Sequence, residues 1–173
     1  TVRQYASDRL HERGEQAQLQ RRHLAYFLAL AEEAEPQLTG VDQRAWLERL
    51  ETEHDNLRAA LAWPGAEQGH AGSGSRMAAA LWRFWMVHGY LGEGRRSLVA
   101  LLATTRIAQL PKAVRAKALY GAGVLTWQQG EYAQARLLHA EGLSLRRELG
   151  DTKGAAASLN GLANVAKDHG DYP

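Results

Sequence analysis

Cysteine is absent from this chain of 173 residues, and proline occurs only four times. The lack of cysteine excludes disulfides, zinc–thiolate sites and thiol catalysis, and it fits a reducing compartment, so we expect a cytoplasmic location. Few prolines and few β-branched residues, set against many Ala, Leu, Arg, Glu and Gln, are typical of helical proteins. We therefore expect almost no β-strand.

The sequence also lacks an excess of charge of one sign and a long hydrophobic run. The 21 Lys and Arg residues nearly balance 19 Asp and Glu, which leaves a formal charge of +2 without a basic stripe. The most apolar run, MAAALWRFWMV over residues 77–87, contains Arg83 and is shorter than the roughly 20 residues that span a bilayer. Its aromatic residues Trp82, Phe84 and Trp85 fit a protein core better than a stacking platform for bases. We expect no membrane contact and no direct nucleic-acid contact.

Motifs that would carry chemistry are weak. Two glycine-rich stretches, GSGSR at residues 72–76 and GAGV at 121–124, lack the Lys-Ser/Thr pair or the preceding strand of a phosphate-binding loop. Glu51, His54 and Asp55 could place metal ligands on one helix face, although a lone histidine on an apolar stripe is more often a packed residue. No nucleophile elbow is present. We expect no enzymatic activity, no cofactor and no bound metal.

One sequence motif occurs twice, as WQQGEY over residues 127–132 and as KDHGDY over 167–172, at an offset of 40. In a weaker copy, Gly89 precedes Gly130 by almost the same offset. Glycine can adopt the left-handed conformation that ends a helix, so we predict turns at Gly89, Gly130 and Gly170. Apolar residues at helical spacing on both sides of each turn predict a pair of helices.

A single helical hairpin cannot bury its apolar side, so copies must stack. The sequence therefore predicts an all-α fold of stacked antiparallel helical hairpins that form an α-superhelix (solenoid). The predicted units cover residues 76–110, 112–150 and 152–173, of which we expect the last to be incomplete and Pro173 to be the edge of a cut fragment.

Small residues within the hairpins let helices approach closely. Ala122, Gly123 and Ala135 are such positions, and Tyr132 is predicted to offer a large face to the hole beside them.

The residues before the repeats predict a pair of helices over 15–63. His23, Tyr26, Phe27, Leu30 and Ala31 form one apolar stripe, which Pro36 and Gly40 are expected to break, and a single helix over 46–63 carries the other stripe. Residues 64–75 are rich in glycine and serine and predict a flexible loop.

The repeats resemble tetratricopeptide repeats, with a longer period like that of regulators similar to the maltose-regulon activator. This resemblance implies that the superhelix is right-handed. The segments TVRQYASDRL (1–10), RRHLAYFLALAEEAEPQL (21–38) and WLERLETEHDNLRAALAW (46–63) resemble the join between winged helix and repeats in STAND-class signalling NTPases of the AfsR/SARP or LuxR kinds. The resemblance implies that residues 1–14 are the tail of a winged-helix module or a linker helix. It also implies a C-terminal superhelix that holds an upstream NTPase module inactive until a partner or inducer engages it.

The first helix of each stacked hairpin lines a concave groove, and we expect a partner to bind there. One register of these helices gives the candidate residues Arg83, Lys117, Tyr120, Val124, Trp127, Asn160, Asn164 and Lys167. Asn side chains four residues apart can hold a peptide backbone, and Lys or Arg can meet a carboxylate or phosphate. Each of them is equally consistent with an ordinary exposed helix residue.

The sequence thus favours a protein-interaction or regulatory sensor module that binds a protein or peptide, including the parent protein's own NTPase module. The alternative is a receptor for a small-molecule inducer, which a closed aromatic pocket around Trp85 and Trp127 would favour. An apolar helix face left bare by the incomplete last unit would favour a homo-oligomer.

Overall fold

The structure, a computed structural model, describes residues 16–63, 72–103 and 107–170. The predicted tail at 1–14 and most of the predicted loop at 64–75 lie outside these ranges. The described residues contain no strand, which confirms the all-α prediction. They form eight α-helices, α1 Gln16–Gln37, α2 Gln43–Thr52, α3 His54–Ala62, α4 Ser73–Val87, α5 Leu91–Leu102, α6 Lys112–Gln128, α7 Tyr132–Glu148 and α8 Thr152–His169, and one 3₁₀ turn, Ile107–Gln109.

The chain divides into two compact units, residues 1–77 and 78–173. In the first unit α1 packs against α2 and α3. The predicted stripe on α1 is only partly right, because Phe27 is buried whereas Tyr26 is 58% exposed. The core of this unit is made by Leu38, which follows α1, and by side chains of all three helices, Leu24, Phe27, Leu28, Leu30, Ala31, Ala34, Leu47, Leu50, Leu57 and Ala60.

Three helix boundaries of the first unit differ from the prediction. Pro36 does not stop α1 before it but lies inside the last turn, and the helix ends one residue later at Gln37. The helix predicted over 46–63 is interrupted at Glu53, where no proline or glycine marks the break. The final residues of the predicted loop are already helical, because α4 begins at Ser73.

The second unit contains the repeated hairpins. The three predicted turns are confirmed, since Gly89, Gly130 and Gly170 have φ of 77°, 79° and 83°. Lys112 Nζ forms an ion pair of 2.8 Å with Glu148 Oε2, which joins the first residue of α6 to the last residue of α7. These helices therefore run antiparallel, as the short connection between them requires.

Close packing in the second unit follows the same repeat. A Cβ on Gly121 would lie 2.5 Å from Trp82 Cβ and 3.3 Å from Leu98 Cδ1. In the next repeat the large residue stands on a different helix. Gly123 occupies the position that matches Trp82, and a histidine ring occupies the position that matches Leu98. That ring belongs to His139, and a Cβ on either Gly123 or Gly161 would lie 2.7 Å from its Cε1 atom.

The prediction that Tyr132 fills the hole beside Gly123 was therefore wrong. His139 of α7 fills it, and Tyr132 packs instead edge-on against the ring of His169, with centroids 5.9 Å apart. Tyr132 and His139 lie on the same helix, two turns apart, so the helical period alone could not distinguish them.

Substitution of Gly121 by alanine tests the close approach. Alanine normally stabilises a helix interior by about 1 kcal/mol relative to glycine. At Gly121 we expect the opposite sign, a loss of about 1–3 kcal/mol in the free energy of unfolding, because the new methyl overlaps Trp82. Denaturant titration followed by circular dichroism measures it.

Gly142→Ala is the matched control, since a Cβ there meets nothing closer than Leu119 Cβ at 3.4 Å. We expect it to leave stability unchanged or raised. A Gly121→Ala variant as stable as Gly142→Ala would contradict the packing described here.

Candidate partner-binding surface

A row of polar side chains lies on α8. Asn160, Asn164 and Lys167 are spaced by four and three residues, which places them on one face of this helix. All three are exposed, and in the part of the chain that the structure describes their side chains form no hydrogen bond or ion pair. We call these three residues the α8 row. Its amide and ammonium groups are available to a partner.

Local sequence fixes both ends of α8. The Asp151 side chain accepts a hydrogen bond of 2.8 Å from the Gly154 N–H, which caps the first turn. Gly170 adopts a left-handed conformation and ends the helix three residues after Lys167. The row therefore occupies the second half of a helix with well-defined limits.

Trp127 of α6 lies beside the C-terminal end of α8. Its indole Nε1 donates a hydrogen bond of 3.0 Å to Asp168 Oδ2, the residue that follows Lys167. Both helices thus have their C-terminal ends together, and they run parallel. Trp127 is half-buried, so part of its ring remains open beside the row.

Tyr120 belongs to a packed cluster and not to a free surface. Its ring meets Trp82 edge-on at 5.3 Å and lies 5.5 Å from the His139 ring. The guanidinium carbon of Arg146 stands 4.6 Å from the Tyr120 ring centre, as in a cation–π contact. Arg146 itself is 7% exposed and donates a hydrogen bond of 3.0 Å to Ser158 Oγ. The sequence alone did not identify Arg146, because its partners come from two other helices.

The electrostatics of this cluster are set by burial. His139 is 1% exposed, and burial, with a smaller contribution from the charge of Arg146, lowers its pKa from 6.5 to about 4. Its Nδ1 atom has no hydrogen-bond partner among the described residues. Burial also lowers the pKa of the Arg146 guanidinium, whereas Asp151 and Tyr120 act in the opposite direction. The imidazole is therefore neutral at physiological pH, and its role is packing.

The remaining predicted surface residues are buried or half-buried. Val124 is only 8% exposed, so the prediction that its side chain faces an open groove was wrong. Its position follows from helical spacing, but neighbouring helices cover it. Lys117 and Arg83 are half-buried, and the Arg83 guanidinium carbon lies 4.7 Å from the Trp82 ring centre. The structure leaves the α8 row and the ring of Trp127 as the accessible candidates.

Trp85 does not line an open pocket. It is 1% exposed, and a Cβ on Gly94 would lie 2.7 Å from its Cε3 atom. The ring occupies the space that Gly94 leaves empty, so it belongs to the core. An aromatic pocket shared with Trp127 is therefore not formed by the residues that the structure describes.

Metal-binding side chains and membrane-spanning helices also bear on function. The described residues contain no cluster of three or more His, Asp or Glu side chains placed to hold a metal ion. Within residues 16–63, 72–103 and 107–170, no helix is both long and apolar enough to cross a bilayer.

Three bacterial proteins are similar to this chain. A protein of Mycobacterium tuberculosis strain H37Rv, named a "putative HTH-type transcriptional regulator", is 35% identical over 165 residues, and proteins of the same description in M. tuberculosis strain CDC 1551 and in M. bovis are equally similar. The match covers 92% of this chain but only 18% of each relative's length. No family model and no solved structure matches the chain. The chain is thus similar to one segment of proteins that are named as transcriptional regulators.

The buried imidazole predicts a dependence of stability on pH. Because the folded pKa of His139, about 4, lies below the value of 6.5 in the unfolded chain, the unfolded state binds the extra proton between these values. Stability contributed by the neutral ring is complete above pH 6.5 and is lost as the pH falls towards 4. The difference between the two pKa values corresponds to a loss of about 3 kcal/mol in the free energy of unfolding.

His139→Leu is the comparison variant, because leucine stands at the matching position of the preceding hairpin, Leu98. Free energies of unfolding between pH 7 and pH 4 should fall more steeply for the original chain than for this variant. An NMR titration in which the His139 ring of the folded protein changes protonation near pH 6.5 would exclude the buried neutral state.

Proposed function

We propose that this chain is a protein-interaction module of a transcriptional regulator, built as a tetratricopeptide-like array whose hairpins stack into a right-handed superhelix. Two observations support the array. Helix, glycine turn and helix recur at Gly89 and Gly130, a third helix ends at the glycine turn of Gly170, and the packing of Gly121 against Leu98 recurs as that of Gly161 against His139. The name of the mycobacterial relatives supports the regulatory setting.

The α8 row carries the proposal. Each Asn amide offers an acceptor and two donor hydrogens, which match the C=O and N–H groups of a peptide backbone. Asn160 and Asn164 are four residues apart, or about 6 Å along the helix axis. Backbone groups that face the same side of an extended peptide recur every two residues, about 6.6 Å. The two spacings are close enough for both amides to contact one extended segment.

The groups around the row define the chemistry of the segment. Lys167 adds a cation one turn beyond Asn164 and favours an acidic or carboxylate-bearing partner. Trp127 offers a ring face whose indole N–H is already bonded to Asp168. An apolar side chain on the peptide would lie on that ring, so the preferred ligand combines an apolar residue with a negative charge.

Regulation follows from competition for this surface. We propose that a segment of the parent protein, such as its NTPase module, occupies the α8 row in the resting state and that an external partner displaces it. A ligand can shift such an equilibrium only by the difference in its affinity for the two states. In this proposal the module is not an enzyme and needs no cofactor, and contact with DNA belongs to other parts of the parent protein.

An inducer pocket around Trp85 and Trp127 has no comparable support, because Trp85 is 1% exposed and packs against Gly94 of α5. A protein or peptide ligand is the function that the accessible residues favour.

Asn160→Ala together with Asn164→Ala tests the proposal. Peptides selected from a random display library on the original chain should bind this double variant about thirtyfold more weakly, since each lost hydrogen bond contributes about 1 kcal/mol. Fluorescence anisotropy with labelled peptides gives the affinities. Alanine favours helix more than asparagine does, so folding is preserved.

Gln134→Ala with Ser144→Ala is the matched control, since both residues are exposed on α7 and are not part of the row. We expect this control to bind as the original chain does. Equal binding by both double variants, or failure to select any peptide, would reject the α8 row as a peptide site.

A further inference from the structure

A groove of about 540 Å³ lies along α5. Five of its lining residues belong to the first three turns of that helix, and the sixth directly follows α6. They are Gly92, Arg95, Arg96, Val99, Ala100 and Gln129, none of which belongs to the α8 row. The volume falls within the range of about 300–1,000 Å³ that is usual for small-molecule sites.

A chain of hydrogen bonds orients one side of the groove. Arg95 is paired with the Glu131 carboxylate and donates a second bond, of 3.1 Å, to Gln129 Oε1. This contact uses the acceptor of the Gln129 amide, so its Nε2 donors are left to face the groove. Nε2 lies 3.7 Å from the position that a Cβ on Gly92 would take.

A second donor converges on the same position. Arg96 Nη1 lies 3.4 Å from that Cβ position. Both donor atoms therefore approach one point beside the Gly92 backbone, where no side chain stands. A carboxylate that stands in front of this point, in van der Waals contact with the Gly92 backbone, can accept from both donors, since each hydrogen bond spans about 2.9 Å.

Charge and apolar surface are adjacent in this groove. Among the described residues, the Arg96 guanidinium has no acidic partner. Val99, which is 40% exposed, and Ala100 supply an apolar wall one turn further along α5. A ligand that fits both parts carries one negative charge and an apolar body.

The next repeat contains a smaller counterpart of this groove that lacks the second arginine. A smaller cavity of about 150 Å³ is lined by Tyr132, Ala133, Arg136, Val165 and His169. In the repeat, Ala133 and Arg136 match Gly92 and Arg95, and His169 matches Gln129. The counterpart of Arg96 is Leu137, 60% exposed. The same framework thus holds a narrow cleft with one arginine in one repeat and a larger groove with two arginines in the other.

We propose that the α5 groove binds a small organic monocarboxylate, with its carboxylate between Arg96 and Gln129 and its apolar body against Val99 and Ala100. Arg95 is a positioning residue, because it fixes the Gln129 amide through the contact to Glu131. The absent side chain of Gly92 is what leaves room for the carboxylate. This assignment goes beyond the peptide-binding function, which uses a different helix.

Octanoate is the probe, and octanol and acetate separate the contributions of charge and chain. Two-dimensional ¹H–¹⁵N NMR of the whole 173-residue chain follows the Gly92 amide and the Gln129 side-chain NH₂ during titration. We expect saturable shifts with octanoate and affinities at least about tenfold weaker for octanol and for acetate, as expected for losing a hydrogen bond to a charged group or the apolar contact.

The test variants are taken from the counterpart cleft, so each residue is already compatible with the framework. Arg96→Leu should weaken octanoate binding about tenfold by removing the cation. Gly92→Ala should weaken it to a similar extent by placing a methyl between the donors, and thermal unfolding should show stability unchanged or raised. Asn160→Ala with Asn164→Ala should leave octanoate affinity unchanged, which keeps this test independent of the peptide-binding function.

Three results would overturn the assignment. The first is the absence of saturable octanoate binding to the original chain. The second is an equal affinity for octanol, which would identify a merely apolar patch. The third is an unchanged octanoate affinity in Arg96→Leu, which would place the carboxylate elsewhere.

Discussion

The second unit depends on a constraint of volume, because each space between its helices is filled from one side only. Gly121 accepts the side chain of Trp82, whereas Gly123 and Gly161 together accept the ring of His139. Protein interiors are packed to crystal-like density, so adding one methyl on the wrong side costs as much as removing one. The two hairpins meet this constraint with opposite assignments of large and small residues. The helix arrangement can therefore recur although the residues at matching positions differ.

This constraint also explains a polar core. A histidine between two glycines fills a flat slot, but its buried ring must remain neutral, which its lowered pKa reflects. Arg146 satisfies its charge differently, through the Tyr120 ring and through oxygen atoms on α8, including Ser158 Oγ. Breaking such a buried network by removing one partner is costly, so the cluster holds α8 in register against α7. The orientation of the exposed α8 row thus rests on buried residues that no ligand touches.

The helical class, the period and the three turns could be predicted from the sequence. The turns could be predicted because each requires a glycine at positive φ, which is a local property of the chain. The sequence prediction was wrong where the answer depends on how neighbouring helices pack. Tyr132 and His139 share a helix, and the register of α7 against α6 places His139 at Gly123. Val124 shares a predicted face with Tyr120 but is covered by neighbouring helices. The α5 groove could not be predicted from the sequence either. It depends on a contact between Arg95 of α5 and Gln129, the residue after α6, and local helix propensity says little about such contacts.

The matching positions of α6 and α8 show how one framework can carry different surfaces. Tyr120 and Trp127 of α6 correspond, at an offset of 40, to Asn160 and Lys167 of α8. The aromatic residues are half-buried and contact neighbouring helices. The side chains of the polar residues are exposed and form no hydrogen bond or ion pair with the described residues. A hydrogen bond at an exposed site contributes only about 1 kcal/mol, so no single one of these side chains can define a ligand. Recognition must come from several weak contacts at the fixed spacing of one helix, and the packing of His139 against Gly161 holds that helix in place.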